Sequence, residues 1–558
     1  MAAGTRRGLL VLAVYSFVVQ SLRVVFSTLF VEYYTYSFLL VADTRRVNTV
    51  GLTDNEGGRL HFSKLGLGML VAAQLVYLVC SVLHRAGVVA FSSVFALAWR
   101  PQRLAPDEHS FAFAFGASWW VLRLPFLPSA VSFTLATAAV GVFSDRCIAF
   151  AQNAMREIAA QPPTEEKSVE LAFRAASGGA AVVVLIAALL YDGTSPKKGP
   201  LREFHWCLVV LCGAALCTFS GLQRWRCSFQ GEGVAKTVRE DFSVGSRPVS
   251  GLSAATVAEF HDFVHQTWQR RSMKALLVVR ALHCFAHTAA VSFFHLFLAL
   301  GCAPLLSAAV RAIILALVVA APSFLAPTLV ASASFVGKKG LVSVMLLGVC
   351  TVGLVSLVAA FLTRGVAGVE FESAVAEGSA GVSSTTAVWL CAVLMIMLRL
   401  LLDSVHDLLD LAQQDVVEED AILFGRSNLM AASTKRLCSV VAAPMESLSR
   451  ITTLLLLAFT NAFEGDVPTP PAITSSSGTT TTQATSVLEK AAPAGALEWA
   501  AMANMASAVL AVLSLQTGGV ALMMLVVWYR YYNLDGKHLQ FVQMATRKRK
   551  DEQSVAIV

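Results

Sequence analysis

Charged residues are scarce in this chain of 558 residues. Asp, Glu, Lys and Arg together make up 14% of it, against about 25% in soluble domains. Residues of the AVILMFWYC set make up 56%, and several apolar runs exceed the roughly 18 to 20 residues that cross a bilayer. This composition excludes a soluble enzyme, a disordered scaffold and a secreted disulfide domain. It predicts an integral membrane protein with many spans.

The motifs of common catalytic and nucleotide-binding sites are also missing. The sequence has no Walker, GxSxG or HExxH motif, so ATP-driven transport within this chain is not expected. Its 11 cysteines include no CxxC pair, and we interpret them as small buried apolar side chains. We therefore predict that the chain is not an enzyme and that it has no cofactor and no metal site.

Twelve apolar segments are long enough to span a membrane, six before a polar stretch and six after it. They cover residues 9–30, 62–83, 109–126, 130–155, 168–191, 204–222, 274–301, 305–330, 341–362, 385–410, 437–463 and 499–529. This plan predicts an all-α membrane protein with twelve transmembrane helices. The helices would form two pseudo-symmetric six-helix halves, as in the major facilitator fold.

The span positions divide the chain into regions with different roles. The regions are an N-terminal half at 1–222, a mildly basic cytoplasmic linker at 223–273, a C-terminal half at 274–530 with a Ser/Thr/Pro-rich outer loop at 464–498, and a basic cytoplasmic tail at 531–558. Lys and Arg are about threefold more frequent in the segments that this arrangement places inside, which predicts that both termini are cytoplasmic.

The surroundings follow from the same pattern. We expect the spans to lie in the plasma membrane or an endomembrane compartment. The basic tail is expected to contact the anionic lipids of the bilayer rather than nucleic acid. We also expect the protein to be a monomer with a small-molecule solute as its partner.

The tenth predicted span carries one charged face. Arg399, Asp403, His406, Asp407 and Asp410 fall within an arc of about 100° on a helix. A charge near the bilayer centre costs roughly 2.5–3.5 kcal/mol, whereas a leucine returns only about 0.3–0.6, so this face must meet the protein interior or a water-filled cavity. We interpret Arg399 and Asp403 as solute-binding residues or a gating pair. The alternative is an ion pair that only neutralises itself.

Spans one and seven add further polar groups to the expected cavity. Span seven contributes Arg280, His283 and His287, and span one contributes Gln20 and Arg23. His283 and His287 lie one helical turn apart, but two ligands without a third are a weak metal site. We interpret both histidines as cavity-lining groups, of a type that can carry a proton near neutral pH.

Two intramembrane carboxylates are candidates for ion coupling. Asp145 of span four lies beside Arg146, and a carboxyl group balanced between burial and a neighbouring cation can exchange a proton. Glu446 of span eleven is the second candidate. The alternatives are a salt bridge from Asp145 to another span and neutralisation of Glu446 by Arg450, four residues later on the same helix face.

An acidic cluster followed by a basic residue lies between spans ten and eleven. Its members are Asp415, Glu418, Glu419, Asp420 and Arg426. The cluster resembles the same junction in the glycoside–pentoside–hexuronide cation symporters, and most of all their eukaryotic branch of the transmembrane protein 180 type. Arg399 with Asp403, and the segments 292–298 and 533–539, are similar to that branch too. With Asp407 and Asp410 near the inner interface, the cluster is our candidate cytoplasmic gate.

This resemblance implies a twelve-helix major facilitator fold and symport of a solute with H⁺ or Na⁺. It also implies a coupling carboxylate on span four, which is Asp145 in this sequence. The chain departs from the family in span two, which has no Asp or Glu. Half of the usual oxygen ligands for Na⁺ are therefore missing, which favours H⁺ as the coupling ion.

Together these patterns predict a secondary transporter that moves a sugar-like or other small organic solute by alternating access. Two alternatives stay open. The first is a non-transporting membrane protein of the same fold, in which Arg399 and Asp403 pair with each other and no wet central cavity exists. The second is a transporter of lipid or lysolipid. An intramembrane enzyme, such as an acyltransferase using histidine, would need a histidine and a carboxylate within hydrogen-bond reach beside a lipid-accessible tunnel, and no pseudo-twofold halves.

Overall fold

The computed structural model describes eleven continuous segments of the chain and some shorter stretches. The segments are 3–34, 40–42, 60–62, 64–86, 166–191, 206–218, 269–302, 306–377, 382–423, 429–459 and 506–534. The shorter stretches are 113, 117, 136, 139–141, 143–144, 147–148, 151, 265, 536, 539–542 and 544–545.

The described part of the first half is helical apart from one small hairpin. Its helices are α1 (Ala3–Tyr34), α2 (Lys64–Ala86), α3 (Glu166–Leu190) and α4 (Trp206–Thr218). The strands β1 (Leu40–Ala42) and β2 (Leu60–Phe62) pair antiparallel between α1 and α2, with Leu40 opposite Phe62. The sequence patterns did not predict this hairpin.

The second half contains the longest described helices. They are α5 (Arg271–Ser292), α6 (Phe294–Cys302), α7 (Ala308–Val336), α8 (Lys338–Glu377), α9 (Val382–Leu423), α10 (Leu429–Phe459) and α11 (Ala506–Tyr531). Helix α11 contains a wider π-helical segment, Ser514–Gly519. Only Gly337 separates α7 from α8, and its φ of 85° lies in the left-handed region that glycine adopts without a steric penalty.

The described helices coincide with the predicted spans. Within the described residues, seven helices are long and apolar enough to cross a membrane, and α3 and α4 contribute shorter apolar stretches. Predicted span seven is not one helix, because it divides at Phe293 into α5 and α6. Most of predicted spans three and four, of the linker and of the outer loop lies outside the described residues. The proposed domain boundaries therefore stay predictions.

Helices from the two halves pack against each other along three lines. Helix α2 packs on α10, α3 packs on α7, and α1 packs on α5 and α6. Within the second half, α5 contacts α9, α10 and α11, and α8 contacts α9 and α11. Large apolar side chains such as Leu317, Phe335 and Phe361 are exposed, as expected for a surface that faces lipid.

Candidate functional site

A chain of three ionisable side chains joins α5 to α9 in the interior of the second half. Arg399 Nε donates a hydrogen bond to Asp403 Oδ2 over 2.8 Å, and His287 Nε2 lies 2.7 Å from Asp403 Oδ1. Arg399 and Asp403 are each 8% exposed. The spacing of four residues along one helix aligns Arg399 with Asp403, as the sequence predicted. His287 joins them from the facing helix.

Three histidine rings meet beside this carboxylate. The ring centroids of His283 and His287 lie 5.3 Å apart, those of His283 and His406 5.5 Å, and those of His287 and His406 5.4 Å. His283 is 1% exposed, and its Nε2 donates to the carbonyl oxygen of Leu402 over 2.9 Å. That bond places the ring proton on Nε2, because a carbonyl only accepts.

The histidine cluster has a closed side and an open side. His283 is buried, His287 is about a quarter exposed (26% of its side chain), and His406 is exposed. Arg23 of α1 is exposed as well and lies within electrostatic range of His406. Arg23 falls well inside predicted span one, where a charged group facing lipid is costly, whereas His406 lies one turn from the predicted inner end of span ten. The exposure of Arg23 therefore favours a polar surrounding over lipid at this point of α1, and half-buried Gln20 lies one helical turn before Arg23.

Arg280 precedes the histidines by one turn of α5 and pairs with Asp410 of α9. Its Nη2 also lies 3.4 Å from Gln413 Oε1. The side chain of Asp410 is 59% exposed, whereas that of Arg280 is 9% exposed. Asp407, on the preceding turn of α9, is half-buried. The part of the charged face that carries Asp407 and Asp410 therefore opens towards the predicted inner side.

A second polar cluster connects the two halves. The Tyr77 hydroxyl of α2 donates to Glu446 Oε2 of α10 over 2.6 Å, and Cys284 Sγ lies 3.8 Å from Glu446 Oε1. Arg450 of α10 stacks over the Tyr77 ring at 5.4 Å, and its Nη1 lies 3.4 Å from Gln74 Oε1. Glu446 and Arg450 thus both contact α2, a partner that their spacing on one helix did not predict.

A third pair between the halves escaped the sequence analysis. Glu32 of α1 bonds His295 Nδ1 of α6, and the two side chains are 1% and 6% exposed. The ring of Tyr191, which follows α3, meets the His295 ring edge-on at 6.2 Å between centroids. Glu32 lies just beyond the predicted end of span one. A carboxylate so close to a span end is expected to be solvated, and no local sequence pattern predicts that Glu32 contacts His295.

The acidic cluster of the candidate gate pairs with basic residues of the linker and of the second half. Arg270, which precedes α5, pairs with Glu419 and Asp420 at the end of α9. Lys338, the first residue of α8, contacts Asp415 Oδ1 at 2.6 Å and the carbonyl oxygen of Leu411 at 3.2 Å. Glu418 is half-buried. These contacts brace α5, α8 and α9 against one another.

Two predicted site residues cannot be placed, and one predicted absence has a limited test. Asp145, the candidate coupling residue, and Arg426, the basic member of the gate, lie outside the described residues. In the part of the chain that the structure describes, no group of three or more His, Cys, Asp or Glu side chains is arranged to hold a metal ion. His283, His287 and His406 are close together without forming such a site.

The chain shares its architecture with solved transporters. No family model matches it, and no curated protein matches it. It is similar to the crystal structure of the nucleoside transporter NupG, with a TM-score of 0.50 and 11% identity over 94% of this chain and 99% of that one. It is equally similar to a POT family transporter in complex with a thioalcohol-conjugated peptide, with a TM-score of 0.50 and 11% identity over 94% and 97% of the two chains.

At this level of identity the likeness shows the fold. The resemblance of the acidic junction to the symporter branch stays a prediction, because no comparison tests it. The architecture that the twelve apolar segments predicted is confirmed: this chain is an all-α integral membrane protein with the major facilitator fold.

Proposed function

We propose that the protein is a secondary transporter that moves a small organic solute by alternating access, coupled to H⁺. The observation that carries the proposal is the ionisable cluster of Arg399, Asp403 and His287, with exposed His406 and Arg23 beside it. Groups this polar are retained inside a membrane protein at a cost, and they commonly mark solute or ion pathways.

The arrangement suits a solute site between two moving halves. Arg23 belongs to the first half, whereas Arg399, Asp403 and His406 belong to the second. A solute that bridges them would contact both halves at once, which is the geometry that alternating access requires. Arg399 would bind the solute, and Asp403 would hold the guanidinium in place.

Three places are candidates for the coupling proton. The hydrogen bond between His287 and Asp403 joins a base to an acid inside the cluster, and histidine exchanges protons near neutral pH. Asp145, from the family resemblance, is another candidate. Glu446, the second coupling carboxylate of the sequence analysis, would be a third place, and its protonation would be felt by α2 because its Oε2 accepts the bond from the Tyr77 hydroxyl. Na⁺ is the less favoured coupling ion, because span two supplies no carboxylate.

The alternatives make separate predictions. A non-transporting protein of this fold would also pair Arg399 with Asp403, so that pair alone does not favour transport; the exposed Arg23 and His406 do. An intramembrane enzyme would need a bonded histidine and carboxylate, as His287 and Asp403 are, but the two-half fold is that of the transporters named above. Lipid or lysolipid remains an alternative solute.

The test is solute-dependent proton flux in proteoliposomes that contain the full chain. Sugars, amino acids, nucleosides and lysolipids are added outside vesicles that hold a pH-sensitive dye. We expect one class to drive proton entry with the wild-type protein. Asp403→Asn, which leaves Arg399 buried without its anion, should lower that flux at least tenfold. Asp551→Asn, in the predicted tail, is the matched control and should transport like the wild type.

Solute counterflow separates coupling from binding. Asp145→Asn should abolish solute-driven proton entry while leaving counterflow of the same solute intact, if Asp145 carries the proton. The same pattern in His287→Gln would assign the proton to the histidine instead. Proton flux from no solute class, with protein shown to be folded and inserted, would refute coupled transport. Unchanged flux in Asp403→Asn would refute the assigned site.

A further inference from the structure

We propose that the first turn of α7, together with Arg311, binds a carboxylate or phosphate group. Arg311 is 5% exposed, and its Nε and Nη1 atoms have no hydrogen-bond partner in the structure. Arg311 lies in the first turn of a 29-residue helix. The site is separate from the cluster around Asp403, and the proposal does not depend on transport.

Other arginines at buried positions have a partner on the protein. Arg399 contacts Asp403, Arg280 contacts Asp410, and Arg270 contacts two carboxylates. In the described part of the chain, no such contact joins Arg311 to a carboxylate. A buried charge without compensation is strongly destabilising, so a guanidinium kept in this state indicates that a mobile anion supplies the missing charge.

The position of Arg311 along α7 makes the excess of positive charge larger. A helix N-terminus carries a partial positive charge, and cations are favoured at the other end. Arg311 therefore adds a full positive charge where the helix already carries a partial positive charge. Long helical side chains lean towards the N-terminus of their helix, which for Arg311 is the side of the first-turn backbone N–H groups.

The first turn itself is open to a ligand. The residues from Ser307 to Val310 are exposed, in contrast to buried Arg311. Ser307 Oγ accepts a bond from the Val310 N–H at 3.4 Å, a long contact that caps one donor. The preceding N–H groups of the turn have no carbonyl partner within the helix. These donors and a guanidinium fork together match the oxygens of a carboxylate or phosphate.

Among the described side chains of the helices that pack against α7, none supplies an anion to Arg311. These helices are α3, α6, α8 and α9. On α9, Asp403 is bonded to Arg399 and His287, and Asp415 is bonded to Lys338. On α6, His295 is already bonded to Glu32. Because no described carboxylate pairs with Arg311, the proposal takes the ligand to be a soluble anion or the headgroup of a lipid.

Ligand-induced thermal stabilisation of the purified full chain tests the proposal. The probes are matched pairs: glucose 6-phosphate with glucose, succinate with its dimethyl ester, and lysophosphatidic acid with monoacylglycerol. We expect at least one anion to raise the Tm of the wild type in a saturable way, and its neutral partner to have no effect. A response to the soluble anions identifies a free anion as the ligand, and a response to lysophosphatidic acid alone identifies a lipid headgroup.

Variants locate the response. Arg311→Gln should abolish it, and Arg311→Lys, which keeps the charge but loses the fork, should weaken binding about tenfold. Arg530→Gln removes an exposed arginine from the last turn of α11 and should respond like the wild type. An unchanged response in Arg311→Gln, an equal response to the neutral probes, or no response of the wild type to any of the anions would overturn the proposal.

A measurement without ligand gives an independent check. Arg311→Met fills a similar volume without charge, so it should raise the Tm of the anion-free protein, because it removes an uncompensated buried cation. A lower Tm in anion-free buffer would mean that the protein already satisfies Arg311, and the proposal would fail. This result does not require the natural ligand to be identified.

Discussion

The position of the Tyr77 ring depends on Gly141, a residue without a side chain. A Cβ atom built on Gly141 would lie 2.4 Å from Tyr77 Cε2 and 2.8 Å from the tyrosine hydroxyl oxygen. The Tyr77 ring therefore lies directly against the backbone of the fourth predicted span. From there it reaches Glu446 with its hydroxyl and supports Arg450 with its face. One glycine thus positions the polar contact that links α2 to α10.

Substituting this glycine should disturb that contact. Gly141→Ala forces the Tyr77 ring away and separates its hydroxyl from Glu446, so we expect a lower Tm and at least a fivefold loss of solute flux. Gly178→Ala is the matched control, because a Cβ there meets nothing within 4 Å and alanine favours a helix by roughly 0.5–1 kcal/mol. Thermal unfolding and flux of both variants decide the matter. Equal behaviour would show that Tyr77 adapts without consequence.

Residues separated by one helical turn were the predictable part of the site. The contact of Arg399 with Asp403 and the closeness of His283 to His287 both follow from a spacing of four on one helix. Contacts between helices were not predictable in this way. Glu446 contacts Tyr77, 369 positions away, and only the packing of α2 on α10 brings them together.

At the scale of helices, α8 and α11 cross at unusually short range. A Cβ atom on Gly353 would lie 2.7 Å from the Cα of Gly518, and one on Gly518 would lie 3.0 Å from the Cα of Gly353. Ser514 Oγ adds a 2.6 Å bond to the carbonyl oxygen of Gly353. Small residues allow such approach, and van der Waals packing with interhelical hydrogen bonds is what holds helices together in lipid.

This crossing predicts a sharp difference between neighbouring glycines. Gly353→Ala must push the α11 backbone away, and we expect a cost of about 1–3 kcal/mol, as for other overpacked sites. Gly519→Ala lies one residue from the contact, and its Cβ would meet nothing within 4 Å, so it should leave the Tm unchanged or slightly higher. Thermal unfolding in one detergent compares the two. A similar Tm loss in both would show that backbone contact is not the cause.

Helix positions were the most predictable part of the fold, because an apolar run of bilayer length has few alternatives in a membrane protein. The break at Phe293 between α5 and α6 was not predictable. No glycine or proline lies at the break, which falls between Ser292 and Phe294, so no helix-breaking residue marks it. Such breaks depend on tertiary packing, which a hydropathy pattern does not describe.

At the scale of the whole molecule, the halves touch through polar pairs at different levels. Glu32, near the C-terminal end of α1, meets His295, near the N-terminal end of α6. Tyr77 meets Glu446 near the middle of α2 and α10. If the halves rock about a central site, contacts at one end must open while those near the pivot persist. The pair of Glu32 with His295 is therefore the one expected to separate.

Cross-linking tests this motion. Glu32→Cys with His295→Cys, in a chain whose other cysteines are replaced, should lose at least nine-tenths of its solute flux after treatment with a short reducible bifunctional thiol reagent. Reduction should restore the flux. The chain with Glu32→Cys alone receives the same treatment and should keep its activity. Full flux from a chain shown to be cross-linked would mean that α1 and α6 stay together throughout the transport cycle.

The separation of Glu32 from His295 in the sequence also has a consequence in time. The two residues are 263 positions apart, so at about 5–20 residues per second a ribosome makes the histidine roughly 13 to 50 s after the glutamate. Helix α1 therefore enters the membrane with a carboxylate whose partner has not been synthesised. During that interval Glu32 remains at the predicted end of span one without its partner, so the contact of α1 with α6 through this pair can form only after synthesis has passed His295.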